Sequence, residues 1–154
     1  MLRLRLILVL FVLAFAGFST RAASAVIKHQ VPDALGRRVS AYAKRFVGVP
    51  YRWGGESPRT GFDCSGFVAY VFRHFGFSLP HYTFAQFDLG LHVRRQRLRP
   101  GDLVFFDGVG HVGLYIGGGR FVHAPHTGSR VRVDGLGGWY AARYSGARRI
   151  LRTT

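Results

Sequence analysis

The stretch His111-Val112-Gly113-Leu114-Tyr115-Ile116-Gly117-Gly118-Gly119-Arg120-Phe121-Val122-His123-Ala124 places two apolar, β-prone runs on either side of three glycines. Side chains of an extended strand point alternately to its two faces. Over 111–116, His111, Gly113 and Tyr115 therefore share one face, and Val112, Leu114 and Ile116 share the other. The second face is the apolar one and packs on a core, so His111 and Gly113 look elsewhere, with space over the glycine beside the imidazole. The glycine run reads as a hairpin turn. A three-residue turn pairs Ile116 with Arg120 and sets His123 opposite Gly113, diagonal to His111 on the same face. At that position the backbones are roughly 7–8 Å apart and the rings can touch. A four-residue turn sends His123 to the opposite face.

Outward from this hairpin, short β-prone runs at 103–106, 131–133 and 147–151 predict further strands between glycine-rich breaks. The first half reads differently. Leu35, Val39, Tyr42, Ala43, Phe46 and Val47 recur at helical spacing over 34–47, with Arg37, Arg38, Lys44 and Arg45 on a solvated face, and Gly48-Val49-Pro50 stops the helix. Residues 51–63, holding Gly54, Gly55, Pro58 and Gly61, read as a loop. Phe67, Val68, Val71, Phe72 and Phe75 then form the stripe of a second helix ended by Gly76, with Asp63 as its N-cap and Cys64 in its first turn. A shorter helix is predicted over 83–89, capped by Thr83. Helices first and strands second make an α+β domain with a largely antiparallel sheet.

With 154 residues, 48% hydrophobic and 15% aromatic, the chain suits one globular domain, which excludes a disordered or low-complexity protein. Residues 1–25 stand apart. Arg3 and Arg5 precede an apolar run from Leu6 to Phe18, and Ala23-Ser24-Ala25 offers an A-x-A cleavage site. This is the pattern of a secretory signal, followed by an arm over 26–35 and the domain over 36–154. No cysteine follows the apolar run, so the expectation is a periplasmic or extracellular protein without a lipid anchor. The 22 Lys and Arg residues against 7 Asp and Glu draw the chain to polyanions. For an exported protein these are acidic wall polymers or anionic lipid headgroups, not nucleic acid.

Exported domains commonly use cysteines in pairs, yet Cys64 is the only one. A thiol becomes a good nucleophile as thiolate, and the positive end of a helix favours that anion. The expected chemistry is a dyad in which His111 holds the Cys64 thiolate as an ion pair and later protonates a leaving amine. His123 fixes the ring orientation and tautomer of His111, and the Cys64 amide helps to hold an oxyanion. Each residue taken alone also has a plain structural reading, Cys64 as a core residue and the histidines as satisfied polar groups.

Pro50-Tyr51-Arg52-Trp53-Gly54-Gly55, Phe62-Asp63-Cys64-Ser65-Gly66-Phe67-Val68, Pro100-Gly101-Asp102-Leu103-Val104-Phe105-Phe106, His111-Val112-Gly113-Leu114-Tyr115-Ile116-Gly117 and His123-Ala124 together resemble the NlpC-type bacterial cell-wall cysteine peptidases. The resemblance runs from about residue 36 to 135 and implies a papain-like fold. It implies Cys64 as nucleophile, His111 as base and His123 as the third polar residue, with Tyr51 near the nucleophile and Asp63 and Ser65 placing the substrate. Packing for Tyr51 and Trp53, and helix capping for Asp63, are the structural alternatives.

The implied reaction is hydrolysis of the γ-D-glutamyl bond to a diamino acid in peptidoglycan stem peptides or muropeptides. It proceeds by an acyl-enzyme with neither metal nor organic cofactor, in a chain expected to be monomeric. One departure stands out. Many relatives read L-P-R followed shortly by Ser, and this chain reads Leu79-Pro80-His81-Tyr82-Thr83, so a different hold on the substrate carboxylate is expected. An amidase or acyltransferase with the same dyad, and a cationic envelope-binding module without activity, are the other classes the pattern allows.

Overall fold

The computed structural model describes residues 33–151, so the expected signal segment and most of the arm lie outside the described residues. The last arm residues, 33–35, are already helical: helix α1 covers 33–44 and buries Val39 and Ala43. It stops three residues short of the expected end. Phe46 and Val47 bond back to Ala43 and Lys44 in i→i−3 fashion, and the Gly48 amide turns to the carbonyl of Val131 at 2.8 Å.

The expected loop at 51–63 holds a miniature hairpin of β1 (Glu56–Ser57) and β2 (Gly61–Phe62), too short to leave a periodic signal. Helix α2 (Cys64–Arg73) begins where the Asp63 cap predicts and buries Phe67, Val68, Val71 and Phe72. Helix α3 (Thr83–Phe87) departs from expectation at its start, because extended Tyr82 is the cap residue and makes no side-chain cap bond. Thr83 is the first helical residue and is buried.

The sheet has six antiparallel strands in the order β3-β8-β4-β5-β6-β7: β3 (Leu91–His92), β4 (Leu103–Phe106), β5 (His111–Gly117), β6 (Arg120–His123), β7 (Arg132–Gly135) and β8 (Tyr144–Arg149). The edge strand β3 and the short helix α4 (Gly138–Arg143) carry no sequence pattern and are not expected from the sequence. One sheet face, with Leu103, Phe105, Val112, Leu114 and Val122, packs with Val39 and Ala43 of α1 and the buried stripe of α2. The other gathers Val104, Phe106, Phe121, Leu136 and Ala147, with Tyr140 of α4 against them. Both faces of β4 are covered, which is why its four residues are apolar without alternation.

The β5–β6 register holds, but through a different turn. Leu114 pairs with Val122 and Tyr115 with Phe121 as expected, whereas Gly117, not Ile116, pairs with Arg120, and the ladder is irregular between Tyr115 and Gly117. A tight Gly118-Gly119 turn with positive φ at both residues replaces the three-residue turn. The bulge at Ile116 restores the residue that the shorter turn removes, so the register farther along is unchanged.

Candidate active site

Cys64 is the first residue of α2. The carboxylate of Asp63 accepts the Gly66 amide at 2.7 Å and the Gly54 amide at 3.0 Å, joining the helix start to the preceding loop. The Ser65 hydroxyl donates to the same carboxylate at 3.3 Å, and His81 Nε2 lies 2.8 Å from both its oxygens. Gly66 must be glycine, since a Cβ there would collide with the Gly55 carbonyl and lie 2.7 Å from His81 Nε2.

Helix α2 packs on β5, and this brings the start of that strand to the cysteine. Burial pushes the Cys64 thiol up, and the Asp63 carboxylate adds to the rise. The backbone amides of Val112, Ser65 and Cys64 itself face the sulfur and oppose it. The Val112 amide belongs to the residue directly after His111.

On the same strand, His111 Nε2 is 2.7 Å from His123 Nδ1, with the two rings edge to face at 5.0 Å between centroids. Gly113 makes this possible: a Cβ there would sit 2.5 Å from the Phe121 ring and 3.2 Å from His123 Cβ. His123 is fully buried, and its Nε2 lies 3.0 Å from Asp134 Oδ2 on β7. Arg132 Nε donates to that same oxygen at 2.9 Å, and the Tyr140 hydroxyl lies 3.5 Å from His123 Nε2. Phe106 and Phe121 pack on the two imidazoles.

Burial lowers the His111 pKa to about 3, and like-charge repulsion from His123 and His126 adds to the fall. It lowers His123 to about 4, where the hydrogen bond and charge of Asp134 only partly offset burial. Burial alone would raise Asp134, but the bonds from His123 and Arg132 outweigh it and keep the carboxyl below its usual range. Burial thus works on both groups in the same sense, raising the thiol and lowering the imidazole, against the charge separation of the expected ion pair. Desolvation disfavours the charged form of each group taken singly. Among the described residues no hydrogen bond joins the sulfur to the ring. Nε2 of His111 is committed to His123, and Nδ1, the ring nitrogen nearer its own backbone, has no partner among them.

Tyr51 is half-buried beside these groups. Burial raises its phenol pKa, and the proximity of Cys64 and Asp63 raises it further. Trp53, by contrast, is 85% exposed. Ser65 is buried, its hydroxyl on Asp63 and its carbonyl accepting Gln86 Nε2 at 2.9 Å. Asp63 and Ser65 are thus tied into the helix start, whatever contact they make with a substrate. His81, known from the sequence only as a missing arginine, is the group that rests on the Asp63 carboxylate. Asp134, Arg132 and Tyr140 were not anticipated. Finding them needs the β6–β7 register, in which Phe121 pairs with Asp134 and His123 with Arg132. Among the described residues no cluster of three or more His, Cys, Asp or Glu could hold a metal ion.

The sequence profile of the NlpC/P60 family matches residues 48–149, a span that contains Tyr51, Cys64, His111, His123 and Asp134. The chain belongs to the NlpC/P60 family. It is 42% identical over 114 residues to the murein DD-endopeptidase MepH of Escherichia coli K12, covering 68% of this chain and 42% of that protein. It is 39% identical over 115 residues to the gamma-DL-glutamyl hydrolase of Bacillus subtilis 168, covering 70% of this chain and 28% of that protein. The chain thus spans less than half the length of either relative. Among solved structures, the NlpC/p60 domain of the peptidoglycan hydrolase SagA superposes with a TM-score of 0.67 at 36% identity, covering 73% of this chain and 97% of that one. The α+β, papain-like architecture is the one this family shares.

Proposed function

We propose that the chain is an exported cysteine endopeptidase that hydrolyses peptidoglycan stem peptides at the γ-D-glutamyl–diamino acid bond. The observation that carries this reading is the helix-start cysteine lying against β5, whose His111 is hydrogen-bonded to His123 of the neighbouring β6. A buried neutral imidazole with an open Nδ1 is a base, and the cysteine is the nucleophile it can serve.

In the reaction this supports, the thiol proton passes to His111 Nδ1 as the sulfur attacks the amide carbon. The Cys64 amide at the positive end of α2 faces the developing oxyanion. The C–N bond breaks as His111 returns the proton to the leaving amine, leaving a thioester on Cys64. Water then attacks the thioester with His111 again as base, releasing the carboxylate and restoring the thiol. His123 holds the His111 ring by the 2.7 Å bond throughout. Tyr51, Asp63 and Ser65 would line the nucleophile side of the bound peptide. The excess of basic residues would favour contact with acidic wall polymers or anionic lipid headgroups, and the chain would act outside the cytoplasm as a monomer.

The names of the two curated relatives refer to different bonds, so a second specificity, for a DD bond, is part of the test. Purified muropeptides carrying both bonds should give products cut on the γ-D-glutamyl side by mass analysis, and the Cys64→Ala variant should give none while keeping its fold. Cleavage at a DD bond alone would transfer the specificity to that bond. Acyl transfer to an added amine in place of hydrolysis would make the protein a transferase, and unchanged turnover by Cys64→Ala would remove the mechanism.

A further inference from the structure

We propose that Asp134 is the positioning residue that sets the tautomers of both histidines, so that His111 offers an unprotonated Nδ1 to Cys64. This rests on reading Cys64 and His111 as the working pair, but not on which bond they cut.

The reasoning follows the hydrogens along one chain of contacts. His123 is completely buried, so both ring nitrogens must find partners inside the protein. Those partners are His111 Nε2 at 2.7 Å from Nδ1 and Asp134 Oδ2 at 3.0 Å from Nε2, the Tyr140 hydroxyl lying farther from Nε2 at 3.5 Å. An ionised carboxylate only accepts hydrogen bonds, and Arg132 Nε, donating to the same oxygen at 2.9 Å, keeps it ionised and aimed. A neutral imidazole carries one N–H. That hydrogen must lie on His123 Nε2, facing Asp134, which leaves His123 Nδ1 as an acceptor. His111 Nε2 must then be the donor of the 2.7 Å bond, and its only hydrogen is used there. Its Nδ1 keeps a lone pair.

The opposite arrangement, with His123 protonated on Nδ1, would set two lone pairs against each other at Asp134. It would also place the His111 hydrogen on Nδ1, where a base is needed. When His111 takes up the thiol proton it becomes a cation whose Nε2–H bond to His123 is already in place. No ring has to turn during the reaction. The groups facing the pair are Arg132, Asp134 and Tyr140, with His126 acting at longer range on both rings.

The test reads tautomers directly. Nitrogen-15 NMR of histidine-labelled parent protein at pH 7 should show His111 and His123 both protonated on Nε2 and bare on Nδ1. A parent spectrum with His123 protonated on Nδ1 overturns the proposal. Asp134→Ala should mix the tautomers, lower kcat about ten- to a hundredfold with KM little changed, and slow alkylation of Cys64 by iodoacetamide. Asp134→Asn should recover most of both rates, because Arg132 requires an acceptor at the shared position and an amide oxygen there still accepts the His123 hydrogen. Parental kcat and a single-tautomer spectrum in Asp134→Ala overturn the proposal as well, as does an Asn variant no better than a folded Ala variant. If the parent fails to cut muropeptides while the NMR and alkylation results hold, the substrate reading falls and the role of Asp134 stands.

Discussion

His123 shows how much a single buried side chain can be asked to do. It has no exposure and a pKa of about 4, so at neutral pH its ring carries no charge and offers one donor and one acceptor. Replacing it with alanine removes the acceptor for His111 Nε2 and opens space beside the ring. We expect His123→Ala to lower kcat about a hundredfold with a smaller change in KM, checked by steady-state hydrolysis of a defined muropeptide. Equal kcat in variant and parent would take His123 out of the mechanism. Cys64 is the complementary case. Its position at a helix start was readable from Asp63 and the stripe beyond it, but its rising pKa was not, because burial is a property of what packs around a residue and not of the residue's neighbours in sequence.

At the scale of elements, the site depends on turns that hold strands in register. The turn before β4 is built on Asp102, which is almost wholly buried. Its carboxylate accepts Arg149 Nε and Nη2 at 2.7 Å each and the Arg99 amide at 2.8 Å, tying β4 to β8 and closing its own turn. Asp102→Ala leaves a half-buried guanidinium and a turn amide without an acceptor. We expect a loss of about 2–4 kcal/mol in urea denaturation, with the denaturant slope unchanged. A change under about 0.5 kcal/mol would mean the pair is solvated in solution. Gly113 tests the hairpin in the same way: Gly113→Ala must displace the Phe121 ring or the His123 side chain, and we expect it to lower both melting temperature and kcat. A variant with parental melting temperature and kcat would show that neither ring depends on that space. Both positions lie in blocks quoted from the sequence, yet only the packing shows why a side chain is needed at one and forbidden at the other.

For the whole molecule, acid should be the condition that exposes the cost of burying two histidines. Their folded pKa values, about 3 and about 4, lie below the ordinary value of 6.5. Between those limits the unfolded chain binds more protons than the native one, so stability must fall as pH drops below about 6.5 and continue to fall toward about 3. The lowered Asp134 pKa acts in the same sense at the acid end, since protonating it forfeits the bonds from His123 and Arg132. Thermal unfolding between pH 7.5 and 4.5 should show this decline, and the His111→Gln, His123→Gln double variant should flatten it. The formal charge of +15 predicts a second bulk property. Binding to vesicles rich in anionic lipid or to purified acidic wall polymer should weaken steeply from 50 to 300 mM salt, and salt-independent binding would count against a charge-driven attachment.

The sequence by itself determined the succession of helices and strands, the capped start of α2 under Cys64, and the alternation that sets His111 and His123 on one strand face. These are local matters of spacing, capping and two-residue periodicity, and they survived even a misjudged turn because the Ile116 bulge restored the register. Only the tertiary structure decided that Asp134 and Arg132 stand behind His123, that His81 rests on Asp63, and that burial pushes the Cys64 thiol up and the His111 imidazole down. Those facts depend on a β6–β7 register reached through a long connection, on loops folded back over a helix start, and on the exclusion of water. All three are set by packing between residues far apart in the chain, where spacing and periodicity carry no information.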